Sequence, residues 1–289
     1  MKQYLDLLQD ILSNGTDKMD RTGTGTRAVF GRQIRFNMKD GFPAVTTKKL
    51  AWKGVVSELL WFLEGSTSTH RLAEIKADNK PYEELTEKEK FTIWNANYDK
   101  QGKELGYKDG ELGPVYGSQW RDFNGEGIDQ LQNVINTIKT NPKDRRLLVS
   151  AWNPAKLDKM ALPPCHYSFQ FYCVDNKLSL MWNQRSVDSF IGLPFNIASY
   201  ALLLHIVAKM TNCIPNELIA SLGDTHIYLN HIEPVKLQLT RTPHALPMLE
   251  MPDIDWSLSL DEVLKQVKTS DFKLLNYVCD EAIKADMAA

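Results

Sequence analysis

Cysteine is scarce in this chain of 289 residues: four, at Cys165, Cys173, Cys213 and Cys279. They are too few and too dispersed for a disulfide framework, and no C-x-x-C or Cys/His ligand spacing occurs, so a reducing cytoplasmic compartment and no metal are expected. No apolar run reaches the roughly 20 residues of a membrane helix, and the N-terminal MKQYLDLLQD mixes charges into its apolar residues, so neither a span nor a signal peptide is expected. Neither sign of charge dominates, because 34 Lys+Arg stand against 36 Asp+Glu for a formal net charge of -2. That balance gives no global attraction to nucleic acid or to an anionic membrane, so an anionic ligand has to be held by a local cluster. Repeats and low-complexity linkers are also missing. The 43% of hydrophobic residues suffices for a sizeable core, and we expect a single domain over 1–289.

Tyr4, Leu5, Leu8, Ile11 and Leu12 recur at helical spacing and stop at Asn14-Gly15, predicting a first helix. Val55, Val56, Leu59, Leu60 and Leu63 predict a second over about 53–63, with Glu58 conspicuous inside the apolar run. The stretch 74–90 is dense in charge and reads as a solvated helical insertion on the surface. Ile128, Leu131, Val134, Ile135 and Ile138 predict another amphipathic helix, ended by Asn141-Pro142. LLVSAW at 147–152, YSFQFYCV at 167–174 and LSLMW at 178–182 read as strands, the last two joined by a turn at Asp175-Asn176-Lys177. Residues 196–210 are apolar nearly all round, as in a buried helix. Strands and helices mix without a regular βαβ period, which favours α+β.

Four segments are candidates for chemistry. In Pro163-Pro164-Cys165-His166, two prolines fix φ and remove donors just before a thiol, presenting it rigidly where a strand begins. Such a thiol is a nucleophile if nearby cations lower its pKa; an isolated cysteine is more often a buried structural one, the reading kept for Cys173, Cys213 and Cys279. Arg21 before TGTGT, the pair Arg145-Arg146, and Arg185 in NQRSVD would bind a phosphomonoester if they converged, whereas singly each suits a surface ion pair. The loop after Arg21 has neither Walker A nor dinucleotide-fingerprint spacing. Asn196 in GLPFN is either a helix N-cap, which local sequence favours, or an amide able to read the O4 and N3–H edge of uracil. His226 and Tyr228 in GDTHIY share a face if the stretch is extended and would reach one sugar hydroxyl; a core histidine is the alternative.

RTGTGT (21–26), ELLWFL (58–63), GPVYGSQW (113–120), DRR (144–146), PPCH (163–166), QRSVD (184–188), GLPFNIASY (192–200) and GDTHIYLNH (223–231) together resemble the thymidylate synthase family over most of the chain. The resemblance implies a large mixed twisted sheet flanked by helices, and a homodimer formed through that sheet. It implies one-carbon transfer from 5,10-methylenetetrahydrofolate to C5 of dUMP, with no metal, membrane or nucleic acid required. Carbon 5 of uracil is a poor nucleophile, so a thiolate adds to C6 first, and Cys165 matches that group. Glu58 matches the general acid/base, with Tyr116 and His166 lining the same cavity. Arg21, Gln184, Arg185, Ser186 and Asp188 match the nucleotide site, to which the neighbouring subunit adds Arg145 and Arg146. Asn196 matches the uracil reader, and His226 and Tyr228 the ribose contacts. Lys48, Trp94, Asn95, Asp188, Ile191, Gly192, Phe195 and Ala288 match the folate side.

Three departures bear on how the reaction ends. The family usually has Tyr-Gln-Arg-Ser where this chain has Asn183-Gln184-Arg185-Ser186, Trp-Asp where it has Trp94-Asn95, and a tail with His-Pro-x-Ile closing on Met-Ala-Val where it has Asp280-Glu281-Ala282-Ile283 and Met287-Ala288-Ala289. That tail normally folds over the folate. The exocyclic methylene left on the nucleotide is quenched either by hydride, giving dTMP and dihydrofolate, or by water, giving 5-hydroxymethyl-dUMP. Asn183 in place of a ring opens room for a water, and a weakened lid admits it. Phage deoxycytidylate hydroxymethylases, similar to the same family, also carry an Asn before x-Arg-Ser. The sequence therefore favours a deoxyuridylate hydroxymethylase, suited to phage DNA modification in a host cytoplasm, over its alternative, a thymidylate synthase. A catalytically idle homologue binding RNA or acting as a scaffold is disfavoured by Cys165, Glu58, the arginine set and the lack of a basic stripe.

Overall fold

The structure, a computed structural model, describes residues 1–19 and 23–285. Six strands, β1 (Thr16–Lys18), β2 (Thr26–Asn37), β3 (Leu148–Ser150), β4 (His166–Val174), β5 (Lys177–Asp188) and β6 (Ile214–Tyr228), form one sheet in the order β1-β2-β6-β5-β4-β3. All neighbours are antiparallel except β5 and β6, which run parallel. The sheet is thus mixed, and the expected α+β architecture with flanking helices stands. The β4–β5 hairpin turns on Asp175 and Asn176 alone, both at positive φ (49° and 59°), with Val174 paired to Lys177.

Alternation decides which face is core. Phe169, Phe171 and Cys173 of β4, Leu178, Leu180 and Trp182 of β5, and Leu218, Ala220 and Leu222 of β6 are buried. Against this sheet packs the helix Gly192–Met210, whose Tyr200 ring stacks on Trp182 with centroids 5.0 Å apart and planes 6° from parallel. The helix is long and apolar enough to cross a membrane by composition, but 78% of its most apolar window is buried inside the fold. On the other face of β3 and β4, Leu148, Tyr172 and Val174 alternate with buried Val149, Phe171 and Cys173 and are exposed.

The helices Lys2–Asn14 and Trp52–Glu64 follow their apolar spacing, and the second buries Glu58 along with its hydrophobic face. Several expectations need correction. The stretch 74–90 is not one solvated helix: it holds the end of a helix Thr69–Lys76, a 3-10 turn Tyr82–Glu84 and a short helix Glu87–Lys90, and Ile75 and Leu85 are buried. Ile128 is 44% exposed and lies before the helix Gln130–Thr140, whose start is fixed by Asp129 accepting from the Gln132 amide. The last long helix begins at Gly192, so Asn196 sits inside its first turns and is no N-cap. Strand β5 continues past the expected end at 182 through the polar NQRSVD, because β4 pairs with it as far as Gln184 and β6 as far as Asp188.

Candidate active site

Where β4 begins and β5 nears its end, a cavity of about 520 Å³ opens under the helix Gly192–Met210, a size suited to small-molecule ligands. Cys165, just ahead of β4, faces it. The thiol is placed by its backbone: Cys165 N–H donates to the Tyr116 hydroxyl (2.8 Å), and its carbonyl accepts from Arg185 N–H (2.8 Å). The Arg185 side chain wraps the same loop, with Nε on the Pro164 carbonyl (2.9 Å), Nη2 on the Pro163 carbonyl (3.0 Å) and Nη2 4.0 Å from Sγ. The two prolines thus present carbonyls that hold a cation beside the thiol. Burial pushes the Cys165 thiol above its ordinary range, and the Arg185 charge pulls the other way.

Tyr116 adopts φ 32°, an uncommon conformation for a side chain of that size. Gly117 after it permits the geometry: a Cβ there would lie 2.3 Å from the Phe62 carbonyl. This close approach stacks Tyr116 on Phe62 (5.0 Å, 23°) and sets it 4.4 Å from the His166 ring. His166 Nδ1 is 2.8 Å from the Tyr200 hydroxyl, and burial lowers its pKa to about 3, so the ring is neutral.

Glu58 is buried, and its Oε1 accepts from Trp94 Nε1 at 2.7 Å. Burial raises its pKa to about 7, with the indole bond acting the other way. A carboxyl balanced between its two forms near neutral pH is suited to general acid/base work. Two side chains, Trp182 and Gln184, then fix the amide of Asn196. The Trp182 indole can only donate, and it donates to Gln184 Oε1 (3.1 Å). Gln184 Nε2 is therefore turned toward Asn196 Oδ1 (3.2 Å) and the Ser186 carbonyl (3.1 Å). Asn196 Nδ2 is left to donate into the cavity, and a lone pair of Oδ1 to accept there, the complement of a uracil edge.

The Thymidylate synthase family matches residues 2–289. The chain is 53% identical over 294 residues to the thymidylate synthase of Enterobacteria phage T4, and 50% identical over 291 residues to the probable thymidylate synthase of Escherichia phage T5, with 100% of each chain covered. The crystal structure of thymidylate synthase from T4 phage matches with a TM-score of 0.92 at 52% identity, covering 100% of both chains. The chain belongs to the thymidylate synthase family. It is a one-carbon transferase of that family, whose members use dUMP and methylenetetrahydrofolate.

Measured against the residues that the family implies, the cavity gathers most of them. Glu58, Tyr116, Cys165, His166, Gln184 and Ser186 line it, as does Asn196. So do Lys48, Trp94, Asp188, Ile191, Gly192 and Phe195. Lys48 Nζ donates to the Phe190 carbonyl (2.5 Å) and sits 3.6 Å over that ring; burial lowers its pKa to about 8 while Asp188 opposes the shift. Asp188 caps the turn before the helix by accepting from Phe190 N–H (2.9 Å) and Ile191 N–H (3.1 Å). His226, whose Nδ1 is 3.1 Å from Asp224 Oδ1, lies one strand over from Asp188, and its ring is 5.2 Å from that of Tyr228, so the two share a face beside the cavity wall.

Others are not on that wall. Asn183 precedes the cavity-lining Gln184 on β5, and its amide donates to Ser168 Oγ (3.1 Å) on the opposite face of the sheet. Alternation, with Gln184 inward, requires this. Asn95 turns back on its own loop, accepting from Thr92 N–H (2.7 Å) and Oγ1 (2.6 Å). Arg145 and Arg146 precede the edge strand β3, and Arg146 pairs with Asp144 (2.8 Å) with its side chain 90% exposed, away from this chain's cavity. Arg21 and Ala288 lie outside the described residues. The sequence reading missed Ile93, Leu162 and Phe190 on the wall; Ala282 and Ile283, which it placed in the tail, line the cavity together with Ala285. Apolar throughout, the missed residues carry no chemical signal of their own. Among the described residues, no group of three or more side chains is placed to hold a metal.

Proposed function

We propose that this chain is a thymidylate synthase: it converts dUMP to dTMP, using methylenetetrahydrofolate as donor of both the one-carbon unit and the hydride. The observation that carries the choice over the hydroxymethylase is the outward turn of Asn183. A water held by that amide would sit on the wrong side of the sheet, and Asn95 is likewise spent on its own loop. The names of the phage T4 and T5 relatives support the same branch. The cavity's chemistry fits the folate, with Trp94 and Phe195 offering aromatic surface and Ile93 and Leu162 an apolar wall.

When bound, methylenetetrahydrofolate supplies the one-carbon unit and the reducing hydride. The rest is done by the chain. Cys165 Sγ adds to C6 of the uracil, pushing the electron pair toward O4 and C5. Asn196 holds O4 and N3–H, so charge developing on O4 meets a preset donor. Glu58 carries the proton lost on the way to the exocyclic methylene. Ala282, Ile283 and Ala285 cover the cavity and exclude water, and the reaction closes when Cys165 leaves as its bond to C6 breaks. Arg185 and Ser186, with Arg21 and a partner subunit's arginines at positions 145 and 146, hold the phosphate. The uncovered apolar residues Leu148, Tyr172 and Val174 suit the homodimer this requires. Four free thiols, with Cys173 and Cys213 unbridged although their sulfurs lie 3.8 Å apart, accord with the cytoplasm.

The test is to incubate the protein with dUMP and methylenetetrahydrofolate and weigh the nucleotide. We expect dTMP. A product heavier by a hydroxyl oxygen would return the hydroxymethylase, and unchanged dUMP would favour an idle homologue.

A further inference from the structure

The C-terminal segment reaches the cavity across a loop, residues 45–50, that itself contributes Val45, Lys48, Lys49 and Leu50 to the wall. Tyr277 ties the two together, its hydroxyl donating to the Val45 carbonyl (2.6 Å) and accepting from Leu50 N–H (3.1 Å). Asp280 N–H donates to the Thr46 carbonyl (2.9 Å). A third segment, after the helix Ile232–Leu239, braces both: Arg241 Nη1 donates to the Thr47 carbonyl (2.8 Å) and to the Glu281 carbonyl (2.7 Å). His244 N–H donates to Thr46 Oγ1 (3.1 Å), and His244 Nε2 lies 3.3 Å from Asp280 Oδ1.

Asp280 in that last contact is a departure of this chain, since the resemblance implies His at its position. Asp280 is also unlike an ordinary surface acid, because its Oδ2 is buried with no hydrogen-bond partner among the described residues. A carboxylate half withdrawn from water costs free energy unless its other oxygen is well held. His244 is the side chain that holds it. Take His244 away, and the least costly response is for Asp280 to swing out to water, drawing Glu281 and Ala282 with it. An exposed pair with both oxygens solvated would show little such effect.

We propose that His244 and Asp280 are positioning residues, a side-chain latch that keeps residues 280–285 over the cavity, with Arg241 as the fixed strut beneath it. In its consequence for catalysis the latch rests on reading this cavity as the folate site. In its structural content it does not, and hydrogen exchange reads that content directly.

Amide exchange across 277–285 should be measured in the full-length protein for His244→Ala, Asp280→Ala and the double variant. We expect each single change to speed exchange about tenfold, equivalent to about 1.4 kcal/mol, and the double to add nothing further, because one contact is lost in all three. Asp280→Asn, which keeps an acceptor, should exchange close to the wild-type rate if His244 is the donor. Wild-type exchange in both alanine variants, or fully additive effects, would overturn the latch. If the protein turns over dUMP, the alanine variants should raise KM for methylenetetrahydrofolate while leaving KM for dUMP unchanged; an equal rise in both would overturn the positioning role. Failure of the wild type to act on dUMP would sink the function reading and leave the exchange result standing.

Discussion

Trp94 Nε1 donates to Glu58 Oε1 at 2.7 Å, and this single bond joins the aromatic wall of the cavity to its buried acid. An indole cannot accept a proton, so the bond orients the carboxyl without quenching it. It also favours the ionised form, partly opposing the burial that raises Glu58 to about 7.

Glu58→Gln should separate stability from activity. A carboxyl raised from 4.5 to about 7 stabilises the fold fully below the unfolded value, and that contribution is lost as pH rises through about 7. At pH 8 the neutral amide avoids the cost of ionising a buried group, so the variant should be more stable than wild type by up to about 3 kcal/mol. Its kcat should fall by roughly 10²- to 10⁴-fold, the usual share of a general acid/base. Denaturation at pH 5 and pH 8 checks the first claim; equal stability differences at the two pH values would contradict it.

Asn183→Tyr should leave the product as it is. The side chain lies across the sheet from Cys165 and bonds Ser168, so restoring the usual family residue changes nothing in the cavity. A shift in the ratio of dTMP to hydroxymethyl product on this substitution would show that the face assignment is wrong.

Arg185→Ala should make Cys165 less reactive. Arg185 Nη2 is 4.0 Å from Sγ, and its charge is what counters the burial of the thiol. The midpoint of iodoacetamide alkylation against pH should move upward in the variant, read as mass addition at Cys165. An unmoved midpoint would assign the activation of the thiol to another group.

Much of this arrangement was legible in the sequence, for reasons that particular residues make plain. The helix Trp52–Glu64 follows from its apolar period, and Glu58 stood out because a carboxyl seldom shares such a run. Cys165 stood out because two prolines precede it. Strands β2 and β6 were harder, since Gly31 and Gly223 break their alternation and their hydrogen-bond partners are remote in sequence. Asn183 and Asn95 stood out against the family residues at their positions, but that contrast does not show which way either side chain faces. For Asn183 the period of two already held the answer. For Asn95 it was the short local bond to Thr92, which asparagine forms readily.

Asn196→Asp should alter the choice of base. With Oδ1 fixed toward Gln184, the aspartate would present a second acceptor where Nδ2 stood, repelling uracil O4 and accepting from a cytosine amino group. Turnover of dUMP should drop by roughly 10- to 100-fold, as for a buried polar group left unsatisfied at about 1–3 kcal/mol, while dCMP binding improves. Competition binding of the two nucleotides gives the answer, and an unchanged preference would remove Asn196 as the base reader.

The central claim, that hydride and not water ends the reaction, is tested most directly by supplying methylenetetrahydrofolate deuterated at its hydride-donating carbon together with dUMP. The account predicts dTMP carrying the deuterium in its methyl group, with dihydrofolate formed in equal amount. Unlabelled 5-hydroxymethyl-dUMP, with the deuterium retained in tetrahydrofolate, would contradict it.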